Sequence, residues 1–378
     1  MKIRITSLAT IIVSFLCIFI GHKIVVKNLF IFQNDSQEVV KAVVYKIIER
    51  IEPDESYDEL IPMSMQSTSI IFEAKVTGGR QKGNSITAVQ NMGEFSEAPS
   101  TEVKEGDSVL LINFDHREQW YFKGFVRADK LFVLGILFLV CLLLLGRAKG
   151  LSALLSLGLT CGTIIGVFIP AILSGKNIYL MTVLVCVYII VMTFLIVIGY
   201  NKKALAAVLG CCGGIAVSGI ISIIMDRVLF LTGVIDERTG YIAHLPLAAP
   251  LNLKALIFAG IVIGAMGAVM DMAMSITSSL WELKQRSQGS EFKTLFHSGM
   301  TIGRDMMGTM VNTLILAYIG SSLSIVIIFA IYDNSFLSLL NSEMIIVDIL
   351  QALAGTLGIL AAMPLTALFC SVFYGKQN

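Results

Sequence analysis

Residues 178–199 read IYLMTVLVCVYIIVMTFLIVIG, and no charged side chain interrupts them. These 22 residues, at about 1.5 Å each, make a helix about 33 Å long, enough to cross a hydrocarbon core about 30 Å thick. Charge returns immediately outside the run, with Lys176 before it and Lys202-Lys203 after it. A core helix of a soluble protein needs neither this length nor an unbroken apolar circumference. The segment reads as a membrane span.

Working outward, similar apolar runs lie at 5–21, 131–147, 151–173, 204–226, 254–280, 305–331 and 344–373. The expected fold is therefore a polytopic α-helical membrane protein of about eight spans. Composition agrees: 56% of the 378 residues are hydrophobic and 15% charged, where soluble domains carry about a quarter charged residues. The net charge of +1 and the lack of a basic, aromatic-interleaved surface exclude nucleic acid as an expected partner. The last run is long enough to need tilting or bending, and Gly355, Gly358 and Pro364 offer places to bend.

The run at 5–21 follows Lys2 and Arg4 and is not followed by an A-x-A-like cleavage site, so residues 1–27 are expected to be an uncleaved anchor helix. From Asn28 to Lys130 the pattern changes. VVKAVVYKII (39–48), SIIFEAKV (69–76), SITAVQ (85–90), DSVLLINF (107–114) and QWYFKGFV (119–126) are short β-branched or aromatic runs. Gly78-Gly79, Lys82-Gly83-Asn84, Pro99 and Glu105-Gly106-Asp107 punctuate them as turns. Residues 28–130 are expected to form a small all-β domain, with an OB-like barrel as the preferred form. The domain division expected is 1–27, 28–130 and a seven-helix membrane domain at 131–378.

All seven cysteines lie in the apolar runs, so this β-domain must hold itself with a core rather than with its own disulfides. No C-x-x-C spacing suggests zinc. The adjacent Cys211-Cys212 read as small buried hydrophobes in preference to a redox or soft-metal pair.

Charge asymmetry orients the chain. With the N-terminus inside, inner segments hold Lys2, Arg4, Arg147, Lys149, Lys202, Lys203, Lys284, Arg286, Lys293 and Lys376, and the short outer loops hold Lys176, Arg227, Arg238 and Lys254. Ten against four follows the positive-inside rule. The N-terminus is thus expected in the cytoplasm and residues 28–130 outside it. The loop at 227–253 is apolar enough at 242–251 to be partly buried or re-entrant, and 282–300 reads as a polar cytoplasmic loop.

Soluble-enzyme signatures are missing: the chain has no G-x-x-x-x-G-K-[ST], no G-x-S-x-G and no H-E-x-x-H. No enzyme activity and no cofactor is expected. The informative residues are polar ones inside apolar helices. Asp271 sits in GIVIGAMGAVMDMAMSITSSLWE (260–282) among Met266, Met270, Met272 and Met274. An ionised Asp at mid-membrane costs about 2.5–3.5 kcal/mol on insertion scales, so it is retained with a partner or a task. At the interface it would cost little, and the run alone leaves both depths open. In SGMTIGRDMMGTMVNTLILAYIGSS (298–322), Asp305 and Asn312 are seven apart and share a helical face with Gly308 and Thr309 between them. One reading makes Arg304 a membrane-edge anchor and Asn312 a helix–helix hydrogen bond. The sharper one gathers Asp271, Arg304, Asp305 and Asn312 into a single polar site, with Arg304 neutralising one carboxylate and the other free for a proton or ion. Asp348 and Gln351 share a face near the outer end of the last helix, where solvent contact explains them. The methionines read as gap-filling core in preference to soft-metal ligands.

The two stretches IGAMGAVMDMAMSITSSLWEL (263–283) and SGMTIGRDMMGTMVNTLILAYIGSSL (298–323) closely resemble the YibE/F-like family of bacterial membrane proteins, as do GGRQKG (78–83), VQN (89–91), KEGDSVLL (104–111) and GRAKGL (146–151). Matching motif positions are Gly264, Gly267, Asp271, Ser275, Gly303, Arg304, Asp305, Gly308, Thr309, Asn312, Thr313, Tyr318 and Gly320. The resemblance implies a multi-helix protein of the bacterial cell membrane and brings no reaction, substrate or ligand role. The leading expectation is a secondary transporter or permease for a small solute or ion, in contact with the lipid bilayer. The alternative is a non-transporting scaffold or sensor that binds a partner through the β-domain. A membrane enzyme, with His297 or Asp348 as a further catalytic group, ranks third.

Overall fold

A computed structural model describes residues 5–26, 37–52, 68–78, 81–92, 101–114, 119–243, 250–286, 291–332 and 336–375. Its contacts divide the chain into two units, Phe30–Cys141 and Met1–Leu29 with Leu142–Asn378.

The first unit is built on five strands: β1 (Gln37–Ile51), β2 (Thr68–Val76), β3 (Ser85–Met92), β4 (Ser108–Phe114) and β5 (Trp120–Phe125). All five runs expected from the sequence are strands. They close into a barrel in the order β1-β2-β3-β5-β4. The 15-residue β1 is long enough to serve two neighbours: its first half pairs with β4 and its second with β2. Register shifts between Val44 and Lys46 and between Ile47 and Glu49 let it bend between them. The parallel pairing of β3 with β5 completes the ring. Alternation sets the core: Val40, Ala42 and Val44 of β1, Ile70, Phe72, Ala74 and Val76 of β2, Val109 and Leu111 of β4, and Trp120 and Phe122 of β5 all point inward and are buried. Gly83 and Gly106 adopt φ of +97° and +91°, conformations that L side chains resist, which is why those turn positions hold glycine.

The second unit is helical: α1 (Ile5–Val26), α2 (Ala128–Thr163), a π-helical turn (Ile164–Phe168), α3 (Ile169–Leu173), α4 (Ile178–Val197), α5 (Lys202–Val228), α6 (Glu237–Ala243), α7 (Leu253–Arg286), α8 (Phe292–Tyr332), α9 (Phe336–Asn341) and α10 (Glu343–Tyr374). The start of α2 belongs to the first unit. Among the described residues, six stretches are long and apolar enough to cross a membrane. One of these runs 46 residues, Ala128–Leu173, and is broken at Arg147, whose φ and ψ are 49° and −128°. The sequence had ended one helix and begun the next at this GRAKG stretch.

The bundle core is apolar. Phe194, Ile190, Ile261, Met272, Ile276, Leu280, Leu295 and Ile359 are fully enclosed. The buried polar side chains of the described helices are all serine or threonine. Cys211 is buried and Cys212 half-buried, both as free thiols. The polar stretch at 282–300, expected as a loop, is mostly helix: α7 continues to Arg286 and α8 starts at Phe292. The good helix formers Leu283, Lys284, Gln285 and Arg286 carry α7 past its apolar run. In the 227–253 loop, Glu343 at the head of α10 accepts the Thr232 and Gly233 N–H groups, each at 2.7 Å, and the Thr232 hydroxyl at 2.8 Å. The re-entrant segment expected around 242–251 lies largely outside the described residues.

Candidate functional site

At 100° per residue, Gly260, Gly264, Gly267, Asp271, Ser275, Ser278 and Glu282 fall on one narrow face of α7. The opposite face is filled by buried Ile261, Ala265, Val269, Met272 and Ile276. Much of the small-residue face is accessible: Gly260, Gly264, Gly267, Asp271 and Glu282 are exposed, and Ser275 and Ser278 half-buried, although Tyr318 and Gln351 lie against Gly264 and Gly260 at its far end. Between Gly260 and Glu282 it extends about 33 Å at 1.5 Å per residue. Glycine and serine keep this face shallow, and Asp271 makes no hydrogen bond or ion pair with a described residue.

Helix α8 runs antiparallel to α7. A Cβ at Gly299 would meet Leu280 at 3.0 Å, one at Gly303 would meet Ile276 at 3.3 Å, and one at Gly264 would meet the Tyr318 hydroxyl at 2.5 Å. These approaches fix the register. Tyr318, Val311 and Arg304 are spaced by sevens on one face of α8, as are Gly264, Asp271 and Ser278 on α7. Asp271 is therefore level with Gly308 to Val311, and Arg304 with Ser275 to Ser278. The two charged residues lie on facing flanks, one to two turns apart. Neither makes an ion pair with a described residue.

The four residues expected to form one site thus divide. Asp271 and Arg304 face the furrow between α7 and α8. Asp305 and Asn312 stand about 80–100° further round α8, on its outward face, where both are exposed and make no hydrogen bond to a described residue. Sharing a face with each other, as the sequence indicated, did not place them beside Asp271.

Polar groups also mark both ends of the furrow. At the α7–α8 hairpin, a groove of about 450 Å³ is lined by Ser279, Glu282, Arg286, His297, Ser298 and Thr301, with Leu283 and Ile302. At the other end, the Ser322 hydroxyl hydrogen-bonds the Asp348 carboxylate, and Tyr318 and Gln351 stand beside it against Gly264 and Gly260. Asp348 is half-buried rather than simply wet. His297 and Asp348 lie at opposite ends, so neither joins Asp271 as a third group. Tyr318 was legible only as a motif member. Its role in setting the helix register appears once its seven-residue spacing to Arg304 is laid against Gly264 and Asp271.

The chain matches the family model described as YibE/F-like protein over residues 134–376. The match takes in GRAKGL and both long motifs of α7 and α8 and leaves the barrel, with its GGRQKG, VQN and KEGDSVLL segments, outside it. No curated protein and no solved structure matches the chain. With 243 of 378 residues inside the match (134–376 counted inclusively), the chain belongs to the YibE/F-like family.

Proposed function

We propose that this protein is a secondary transporter for a small solute or ion, whose path follows the exposed face of α7. The observation that carries this reading is that face itself. It is a continuous run of small and polar residues from Glu282 to Gly260, about one hydrocarbon thickness long, with Asp271, unpaired among the described residues, midway and Arg304 across the furrow. A lipid-facing helix has no use for such a face, since lipid rewards neither a carboxylate nor bare glycine backbone. Substrate coupling would be secondary, because the sequence has no nucleotide-binding loop. In this reading the protein sits in the bacterial cell membrane with eight crossings: α1, the two arms of the helix broken at Arg147, and α4, α5, α7, α8 and α10. The N-terminus is cytoplasmic and the barrel extracytoplasmic. Its strand order and parallel β3–β5 closure support the OB-like reading of the barrel.

The alternative is a scaffold or sensor that binds a partner through the barrel. It is favoured by Tyr45, Ile47, Ile48 and Ile51, which leave an exposed apolar row on β1. Cysteine accessibility separates the two. Gly267→Cys and Ser275→Cys, in the full chain in membranes, should react with charged, membrane-impermeant thiosulfonates if the face is a water-filled path. Reaction with lipid-soluble maleimide alone would remove the transport reading and leave the scaffold.

A further inference from the structure

At the end of the furrow remote from the hairpin, polar side chains of α8 and α10 gather beside the glycines of α7. Asp348, half-buried in the second turn of α10, takes a hydrogen bond from the Ser322 hydroxyl of α8. One turn along α8, the Tyr318 hydroxyl is shut off from solvent and has no hydrogen-bond partner among the described residues. One turn along α10, the Gln351 carboxamide makes no hydrogen bond to a described residue. Its Nε2 stands 3.7 Å from where a Cβ on Gly260 would be. Helix α7 contributes only Gly260 and Gly264 at this level, and the missing side chains make room for the Tyr318 and Gln351 head groups. Helices α8 and α10 thus bring two hydroxyls, a carboxamide and a carboxylate to the same end of the bundle, beside the bare backbone of α7.

Two features of this cluster are unsatisfied. The Tyr318 oxygen is an orphan, and a buried polar group without a partner costs about 1–3 kcal/mol. The Asp348 charge has no lysine, arginine or histidine within ion-pair distance among the described residues, although a carboxylate within a membrane bundle normally has a counter-charge or a task. A cation among these oxygens answers both. We propose that Asp348, Ser322, Tyr318 and Gln351 form a binding site for a small monovalent cation, sodium in the first instance. The donors are all hard oxygens, with no thiol or imidazole, which selects against transition metals. The single carboxylate balances one positive charge, whereas calcium sites draw on several acidic ligands. The nearest other acid on α10, Glu343, is engaged with Thr232 and Gly233. The site does not depend on α7 conducting anything, so it stands or falls apart from the transport reading.

The test is thermal unfolding of the purified full chain in detergent, in sodium chloride against equal concentrations of potassium and choline chloride. The wild type should gain stability with sodium in a saturable manner, through linkage of binding to the folded state, and choline should give none. Asp348→Asn should abolish the sodium dependence. Tyr318→Phe, which removes only the orphan hydroxyl, should raise the half-saturating sodium concentration about tenfold, the equivalent of one lost ligand interaction of about 1.4 kcal/mol. Identical curves in the three salts would overturn the proposal, as would a sodium response unchanged in Asp348→Asn. If Asp348→Asn does not fold, Tyr318→Phe decides: an unmoved half-saturation rejects the site. A stability that follows pH and ignores sodium would assign Asp348 a proton instead and equally reject it.

Discussion

Where α5 crosses α10, bare backbone does the packing. A Cβ on Gly214 would stand 2.7 Å from both the Gly358 carbonyl oxygen and the Ala362 methyl, and 2.9 Å from Val269. On the partner helix, a Cβ on Gly358 would collide with the Ser218 hydroxyl, which donates to the Ala354 carbonyl at 2.8 Å. Lipid gives helices no hydrophobic reason to associate, so close backbone approach and interhelical hydrogen bonds of this kind hold the bundle. Gly214→Ala should therefore cost about 1–3 kcal/mol by overpacking, read as a lower unfolding temperature in detergent. Gly158→Ala, at a site with nothing within 4 Å, should be neutral or slightly stabilising through helix propensity. The glycines of this crossing were visible in the sequence as a small face, but which helix they receive was not, since spacing shows a face and not its partner. Gln90 is a harder case. It occupies an inward position of β3 and looked like part of an alternating strand. Its side chain is wholly buried because it donates to the Thr101 carbonyl and accepts from the Val103 N–H, each at 2.9 Å. No local pattern announces a bond made to a segment eleven residues away.

At the scale of elements, the positions of strands and apolar runs were read well and helix ends poorly. Five strands and every long helix fell where periodicity put them, because strand alternation and apolar run length are local properties. The helices α7 and α8 outlast their apolar runs because a helix does not stop where the membrane does. It stops when hydrogen bonding and capping favour something else. The candidate site divided for a related reason: seven-residue spacing shows that Asp305 and Asn312 share a face, while the direction of that face depends on how α8 rolls against α10. The break in α2 is the element most open to test. Arg147 takes a left-handed φ of 49°, which costs a non-glycine residue about 1–2 kcal/mol. Just beyond it a Cβ on Gly150 would run into the Leu142 carbonyl oxygen. The corner needs a residue without a side chain at 150. Gly150→Ala should destabilise the folded chain by at least about 1 kcal/mol, because the clash is with backbone that cannot rotate away. Arg147→Gly should be tolerated or gain about 1 kcal/mol by relieving the left-handed residue. Unfolding temperatures of the two variants, moving in opposite directions, would identify the corner as a built turn.

For the molecule as a whole, that same corner decides the topology by parity. If residues 128–146 and 148–173 each cross the membrane, the chain makes eight crossings, and the barrel and the α7–α8 hairpin lie on opposite sides. Lys202-Lys203 and the cluster Lys284, Arg286 and Lys293 then fall together on the side of the N-terminus, as the positive-inside rule requires. If the 46 residues from Ala128 to Leu173 made a single crossing, every later helix would invert. The hairpin would join the barrel, those five basic residues would sit outside, and Arg147 and Lys149 would be left at mid-membrane, at about 2.5–3.5 kcal/mol each on insertion scales. This energetic contrast is the ground on which eight crossings are proposed. Lys104→Cys, in an exposed turn of the barrel, should be modified by an impermeant maleimide on intact cells, and Gln285→Cys, exposed at the end of α7, only after the membrane is opened, with the wild-type chain correcting for its own thiols. Modification of both on intact cells would mean seven crossings. The inner and outer ends of the α7 face would then exchange, and the Asp348 cluster would open to the cytoplasm, where sodium is scarce, instead of to the medium.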